Sequence, residues 1–178
     1  MRKQTKLVAV LSTAALLAIG ASMTSFAATG WAEEDGTWVY YNRDGERATD
    51  QWKKSGNNWY WLNSDGEMAI DQLIEDGDNY YYVDINGVMA ANQWVAIDNE
   101  DAGQDNEPDH YWYYFQANGK ALKNGDNAKV ALKTINGKKY AFDDEGKMLY
   151  GWVSEDNAER VDDTDGDGFK EGTYYFGG

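Results

Sequence analysis

Cysteine is absent from the chain, and proline and histidine occur once each, as Pro108 and His110. Without cysteine an exported domain has no disulfide staple, no thiol nucleophile and no N-terminal site for a lipid anchor, so its fold must be held by other means. The lone histidine stands beside Pro108 and Asp109, with no serine or cysteine placed to use it as a base, and reads as a surface residue. Basic side chains are also scarce, 16 against 31 acidic ones. That balance disfavours nucleic acid as a partner, because phosphate binding needs basic surface. Acidic residues could in principle supply a glycosidase pair, but here they fall in turns and insertions with no cleft-forming domain around them. The sequence is therefore read as non-enzymatic, with no catalytic residues and no cofactor.

Long apolar runs are missing too, apart from one. Arg2, Lys3 and Lys6 precede an apolar stretch from Leu7 to Ile19, and small residues follow to Ser25-Phe26-Ala27. The run is shorter than the ~20 residues that span a bilayer, and Ser25 and Ala27 suit signal-peptide cleavage after residue 27. Residues 1–27 are thus expected to be a secretory signal, leaving 28–178 as an exported protein with no membrane span. The signal carries three of the 16 basic residues and no acidic one, so the mature part has 13 against 31, formally −18.

What the chain does have is aromatic residues, 15% of the total, and a repeat. Trp31, Trp52 and Leu73 are 21 residues apart, as are Trp38, Trp59 and Tyr80; Gly45, Gly66 and Gly87; Ala48, Ala69 and Ala90; Gln51, Gln72 and Gln93. A fixed short period marks an array of supersecondary units that bury their apolar faces only by stacking. The centre of the unit reads Trp59-Tyr60-Trp61-Leu62-Asn63-Ser64-Asp65-Gly66 and recurs at 80–87, 112–119 and 139–146, the last two after 11 and six extra residues. Aromatic runs followed by Asp-Gly or Asn-Gly predict a strand entering a hairpin turn, with Met68-Ala69, Met89-Ala90 and Met148-Leu149 as the return strand. The acidic insertions Asp98 to His110 and Ser154 to Gly172 are expected in the loop before the hairpin. The fold class is all-β: stacked β-hairpin repeats forming a β-solenoid of about six units. The sixth stops after Tyr174-Tyr175-Phe176 without a cap, so a downstream domain, or pairing of the last strand with another chain, is expected.

Gly-Trp, six residues, an aromatic run, a turn glycine, Met-Ala and a further Gln-Trp or Gly-Trp together resemble the cell-wall-binding repeat, also called the choline-binding repeat. It is shared with glucan-binding repeats of streptococcal glucosyltransferases and receptor-binding repeats of clostridial toxins. The resemblance runs from Gly30 to the C-terminus. It implies a superhelix of stacked hairpins and, in the choline-binding branch, a ligand held between consecutive hairpins in a box of aromatic rings.

Strand alternation places Trp59 and Trp61 on one face and Tyr60 and Leu62 on the other. The second face, continued by Tyr41, Val83, Tyr113, Phe115, Tyr140 and Phe142, is the expected core. By the resemblance, a first box is Trp31 and Trp38 with Trp61 and Met68, and a second is Trp52 and Trp59 with Tyr82 and Met89. Later intervals are poorer. Leu73 leaves Tyr80 with Tyr114 in the third; the fourth has Trp94 and Trp112 but meets Ala141 in the next unit; and Asp126 and Lys139 replace both rings of the fifth. A quaternary ammonium gains about 0.5 to 2 kcal/mol over a good aromatic face. A sugar ring stacks on the same residues, and plain packing between repeats also uses them.

Asp163, Asp165 and Asp167, followed by Gly168, resemble the opening of a calcium loop. The twelfth position is Tyr174, where a bidentate acid is required, so the segment is read as a solvated acidic loop and no metal is assigned. The function expected is a secreted, non-catalytic surface-binding module, its partner a choline-substituted teichoic acid or another cell-wall polysaccharide. The alternatives are a structural or adhesive repeat protein without a small ligand, and the binding part of a larger wall hydrolase or glycosyltransferase.

Overall fold

The structure is a computed structural model that describes residues 29–104, 107–125, 129–156, 158 and 173–176. The expected signal segment and the acidic run from Asp163 to Asp167 lie outside the described residues. Those described contain no helix, and therefore none long and apolar enough to cross a membrane.

Among the described residues twelve strands form six two-stranded antiparallel hairpins, β1 with β2, β3 with β4, and so on in chain order. They are β1 (Gly30–Glu34), β2 (Thr37–Tyr41), β3 (Gln51–Ser55), β4 (Asn58–Leu62), β5 (Gln72–Asp76) and β6 (Asn79–Val83). The remainder are β7 (Gln93–Asp98), β8 (His110–Phe115), β9 (Lys133–Ile135), β10 (Lys138–Tyr140), β11 (Gly151–Ser154) and β12 (Thr173–Phe176). The chain forms two compact units: the described residues as far as Ile74 with Tyr82–Ala90, and Glu75–Tyr81 with the residues from Ala91.

Hairpins are present as expected from the sequence, but their strands are not the expected ones. The tight connection is the two-residue step before the aromatic run. Asp35-Gly36 and Asn136-Gly137 have positive φ at both residues, as a type I′ turn requires, whereas Gly56 and Gly77 carry it at the first position alone, as type II′ requires. Each opening tryptophan therefore lies on the first strand and the aromatic run on the second. The later Asn/Asp-to-Gly segment makes a separate turn, Gly66 N–H bonding the Asn63 carbonyl at 2.9 Å and Gly87 that of Asp84 at 2.8 Å. The residues after this turn form only isolated bridges, such as Leu62 with Met68 and Val83 with Met89. The return is too short to make a strand because Asp50, Asp71 and Asn92, all at positive φ, redirect the chain into the next hairpin.

The first long insertion is also placed differently from expectation: Asp98 to His110 joins β7 to β8 and so extends the tip of its own hairpin, while most of Ser154 to Gly172 lies outside the described residues. A tip faces away from the stacked faces and can lengthen without disturbing the register, which Trp94 opposite Tyr114 and Trp152 opposite Tyr175 still keep. The first insertion is organised locally by buried Asn99, whose side-chain amide donates to the Pro108 carbonyl at 2.9 Å while its oxygen accepts from Asp101 N–H.

The same backbone hydrogen bond recurs between successive hairpins as far as the fifth. Met68 N–H bonds the Trp38 carbonyl at 2.7 Å and Met89 N–H that of Trp59 at 2.9 Å; in the second unit Ala121 bonds Tyr80 and Met148 bonds Trp112. The insertions change the sequence separation but leave this bond in place. Core positions follow strand alternation: Tyr60, Leu62, Val83, Tyr113, Phe115 and Phe142 are buried, while Tyr41 and Tyr140 are half-buried. Fully burying a side chain such as Leu62 contributes about 1.5–3 kcal/mol, which substitutes for the missing disulfides.

Candidate functional site

Directly opposed residues of an antiparallel pair share a face, so the turns decide which rings meet. With Asp35-Gly36 closing the first hairpin, Trp31 opposes Tyr40 and Glu33 opposes Trp38. In the second, Trp52 opposes Trp61 and Lys54 opposes Trp59. In the fourth, Trp94 opposes Tyr114 and Ala96 opposes Trp112. Each opening tryptophan thus packs on the third residue of its own aromatic run, edge to face: Trp31 on Tyr40 at 5.4 Å, Trp52 on Trp61 at 5.2 Å and Trp94 on Tyr114 at 5.2 Å.

The next hairpin closes the other side of the opening ring. Trp31 meets Tyr60 at 5.4 Å, and Trp94 meets Tyr140 at 4.8 Å and stacks on Phe142 at 5.9 Å. The second aromatic of a run, assigned to the core by alternation, is therefore also the neighbour of the previous opening tryptophan. Sequence reasoning passed over Tyr40, Tyr60 and Tyr140 as partners of these rings. The signal was available in the two-residue turns at 35–36 and 56–57, which set the register.

For the first candidate box, Trp38 and Met68 are joined through their backbones, whereas the ring contact of Trp61, only 8% exposed, is with Trp52. For the second, Trp59 and Met89 are joined in the same way, and the Tyr82 hydroxyl donates to Asp71. The weaker candidates divide: Tyr114 and Trp94 pack on each other, while Tyr80 and Trp112 occupy the position of Trp38 and Trp59. That first-aromatic position is open in the second and fourth hairpins, while Trp38 and Tyr80 are half-buried. Trp59 is 40% and Trp112 is 45% exposed, although both lie in fully paired strands. An indole in this setting offers a flat apolar face with an electron-rich quadrupole, suited to a cation or to the apolar face of a sugar.

Other chemistry is sparse. His110 is exposed at a hairpin tip with Nδ1 3.8 Å from Asp98 Oδ1. Among the described residues no group of three or more histidine, aspartate or glutamate side chains is placed to hold a metal. Burial pushes the Tyr113 phenol up to about 12, with Lys147 opposing and Asp143 and Glu145 reinforcing the shift. A phenol whose folded pKa lies above its unfolded value near 10 stabilises the fold fully below pH ~10, and the contribution is lost as pH rises through about 12. The protein is expected to lose stability over that alkaline window, and Tyr113→Phe to move the loss to higher pH; unfolding followed by near-UV circular dichroism during a base titration reads both. An unchanged alkaline midpoint in Tyr113→Phe would count against this account.

Residues 48–94 match the choline-binding repeat family and residues 111–121 the cell wall binding repeat. The choline-binding domain of Spr1274 from Streptococcus pneumoniae is 33% identical over 53% of this chain and 95% of that domain, with a TM-score of 0.40. Choline-binding protein F of Streptococcus pneumoniae is 25% identical over 73% of this chain and 38% of its own, TM-score 0.51. CbpJ from Streptococcus pneumoniae TIGR4 is 24% identical over 84% of this chain and 40% of its own, TM-score 0.52, a likeness of fold. This chain thus spans about two fifths of the length of the last two. No curated protein matches it.

Proposed function

Because the chain belongs to the choline-binding, cell-wall-binding repeat family, we propose that it is a secreted, non-catalytic module that holds choline-bearing or carbohydrate wall polymers against its tryptophans. The observation that carries this reading is the exposure of Trp59 and Trp112 at the repeat position where the ring is open, in hairpins whose other aromatics are packed. In the first unit the ligand-holding residues are Trp31, Trp38, Trp61 and Met68, then Trp52, Trp59, Tyr82 and Met89. Trp38 and Trp59 give the contact faces, and the packed rings hold them in place. Several weak sites on one chain bind a repeating polymer by avidity, without any tight single site.

Trp38→Ala and Trp59→Ala are expected to weaken choline binding at their own sites by about twofold to thirtyfold, the loss of one cation–π contact of ~0.5 to 2 kcal/mol. Retention of the double variant on purified cell walls should fall further, with thermal unfolding little changed. Titration with choline, and separately with glucan and peptidoglycan fragments, followed by tryptophan fluorescence, separates the two ligand classes. Loss of the fold in both single variants would assign these rings to packing, and no response to any ligand would remove the binding reading.

A further inference from the structure

Three hairpins present a tryptophan at the same register position, each opposite a side chain of different charge. Trp38 faces Glu33, Trp59 faces Lys54 and Trp112 faces Ala96. Directly opposed residues have Cβ atoms about 4.5–5.5 Å apart and lie on one face of the sheet, so the opposing residue stands beside an indole that is half-buried at Trp38 and exposed at Trp59 and Trp112. Both Glu33 and Lys54 are exposed, and the Lys54 Nζ lies 5.8 Å from the centre of the Trp59 ring. That is within the range of a cation–π contact, so the chain already sets a cation of its own at this ring.

Resting on the binding reading above, we infer that the residue opposite each of these three tryptophans sorts the sites by ligand charge. The Trp38 site, with Glu33 beside it, takes the quaternary ammonium. The Trp59 site, with Lys54 over the ring, disfavours it and is left to uncharged parts of the polymer, and the Trp112 site is indifferent to charge. Two opposed signs operate at one register position, beside a half-buried Trp38 and an exposed Trp59. A like charge a few ångströms from a bound cation repels it and an opposite charge attracts it, each by an amount that corresponds to about three- to tenfold in affinity near a solvated surface. Lys54 must also leave the indole before another cation can use that face. This reverses the impression from ring count alone, by which the second box equals the first.

Choline and its uncharged isostere 3,3-dimethylbutan-1-ol differ at the ligand in charge and little in shape. Each is titrated against the full chain by NMR at low salt, following the indole N–H signals of Trp38, Trp59 and Trp112 assigned by single Trp→Phe variants. Choline is expected to bind in the order Trp38, Trp112, Trp59, and the isostere without that order. Lys54→Ala and Lys54→Gln should strengthen choline binding at Trp59 about three- to tenfold, and Glu33→Gln should weaken it at Trp38 by a similar factor; 0.5 M salt should compress both effects. Equal choline affinities at the three rings, or no gain at Trp59 in either Lys54 variant, would overturn charge sorting while leaving the binding reading intact. Weaker choline binding at Trp59 in those variants would overturn it too, by making Lys54 part of the ligand's support. If no indole responds to either molecule, the binding reading fails and charge sorting falls with it.

Discussion

Phe142→Ala is expected to destabilise the second unit by about 3–5 kcal/mol, the usual range for truncating a fully buried aromatic residue. Phe142 has no exposed surface and stacks on Trp94 with an interplanar angle of 24°, while Tyr140 closes on the same indole. The truncation removes apolar area and opens a cavity beside a ring that has no other way to fill it. With whole-domain stabilities of only ~5–15 kcal/mol, a loss of this size lowers the unfolding midpoint substantially. Guanidinium unfolding followed by circular dichroism should show a lower midpoint at unchanged slope, with Phe142→Leu recovering most of the loss. Trp112→Ala, at the open position of the same unit, should cost less than about 1 kcal/mol. Similar losses in the two variants would contradict the division between packed and open aromatics.

Gly87→Ala is the second large effect. Gly87 has φ +77°, a conformation that costs an L-residue roughly 1–2 kcal/mol. An added Cβ would lie 2.9 Å from the Met68 Cε and 3.1 Å from the Ala69 carbonyl oxygen. The methionine end can swing away, but the carbonyl is in a backbone segment tied by Ala69 N–H to the Trp61 carbonyl at 2.9 Å. A total of about 2–4 kcal/mol is expected from the conformational cost and the overpacking together. Gly36→Ala is the control: its φ is +83° with nothing within 4 Å of the new Cβ, so only the conformational part applies. Thermal unfolding of the two variants, with Met68→Ala added to Gly87→Ala, separates the terms. If Gly36→Ala costs as much as Gly87→Ala, close approach of the neighbouring repeat is not what requires glycine at 87.

Much of this protein was legible before any coordinates. The 21-residue interval identified the stacked hairpin class because position-by-position recurrence of Trp, Gly and Ala has no other economical source. Alternation within Trp59-Tyr60-Trp61-Leu62 separated the buried Tyr60 and Leu62 from the exposed Trp59. It failed for Trp61, which lies on the open side yet is buried, because the opposing Trp52 covers it. Alternation along one strand carries no information about what stands across from it.

The turn that closes the hairpin was misread for a related reason. Asp-Gly and Asn-Gly pairs occur both before and after the aromatic run, and either pair tolerates the positive φ of a hairpin turn. Only the backbone pairing chose the earlier one, and that choice moved the opening tryptophan from a connecting loop onto a strand. It also put the acidic insertion Asp98 to His110 at a hairpin tip.

The sequence by itself determined the class of fold, the residues able to form a core and the tryptophans able to meet a ligand, because periodicity and residue chemistry are properties of the chain. The tertiary structure alone decided which rings are spent on packing and which stay open. It also decided that Glu33, Lys54 and Ala96 stand opposite Trp38, Trp59 and Trp112. The physical reason is that partners across a hairpin depend on register, and register is set by the backbone conformation of two turn residues several positions away.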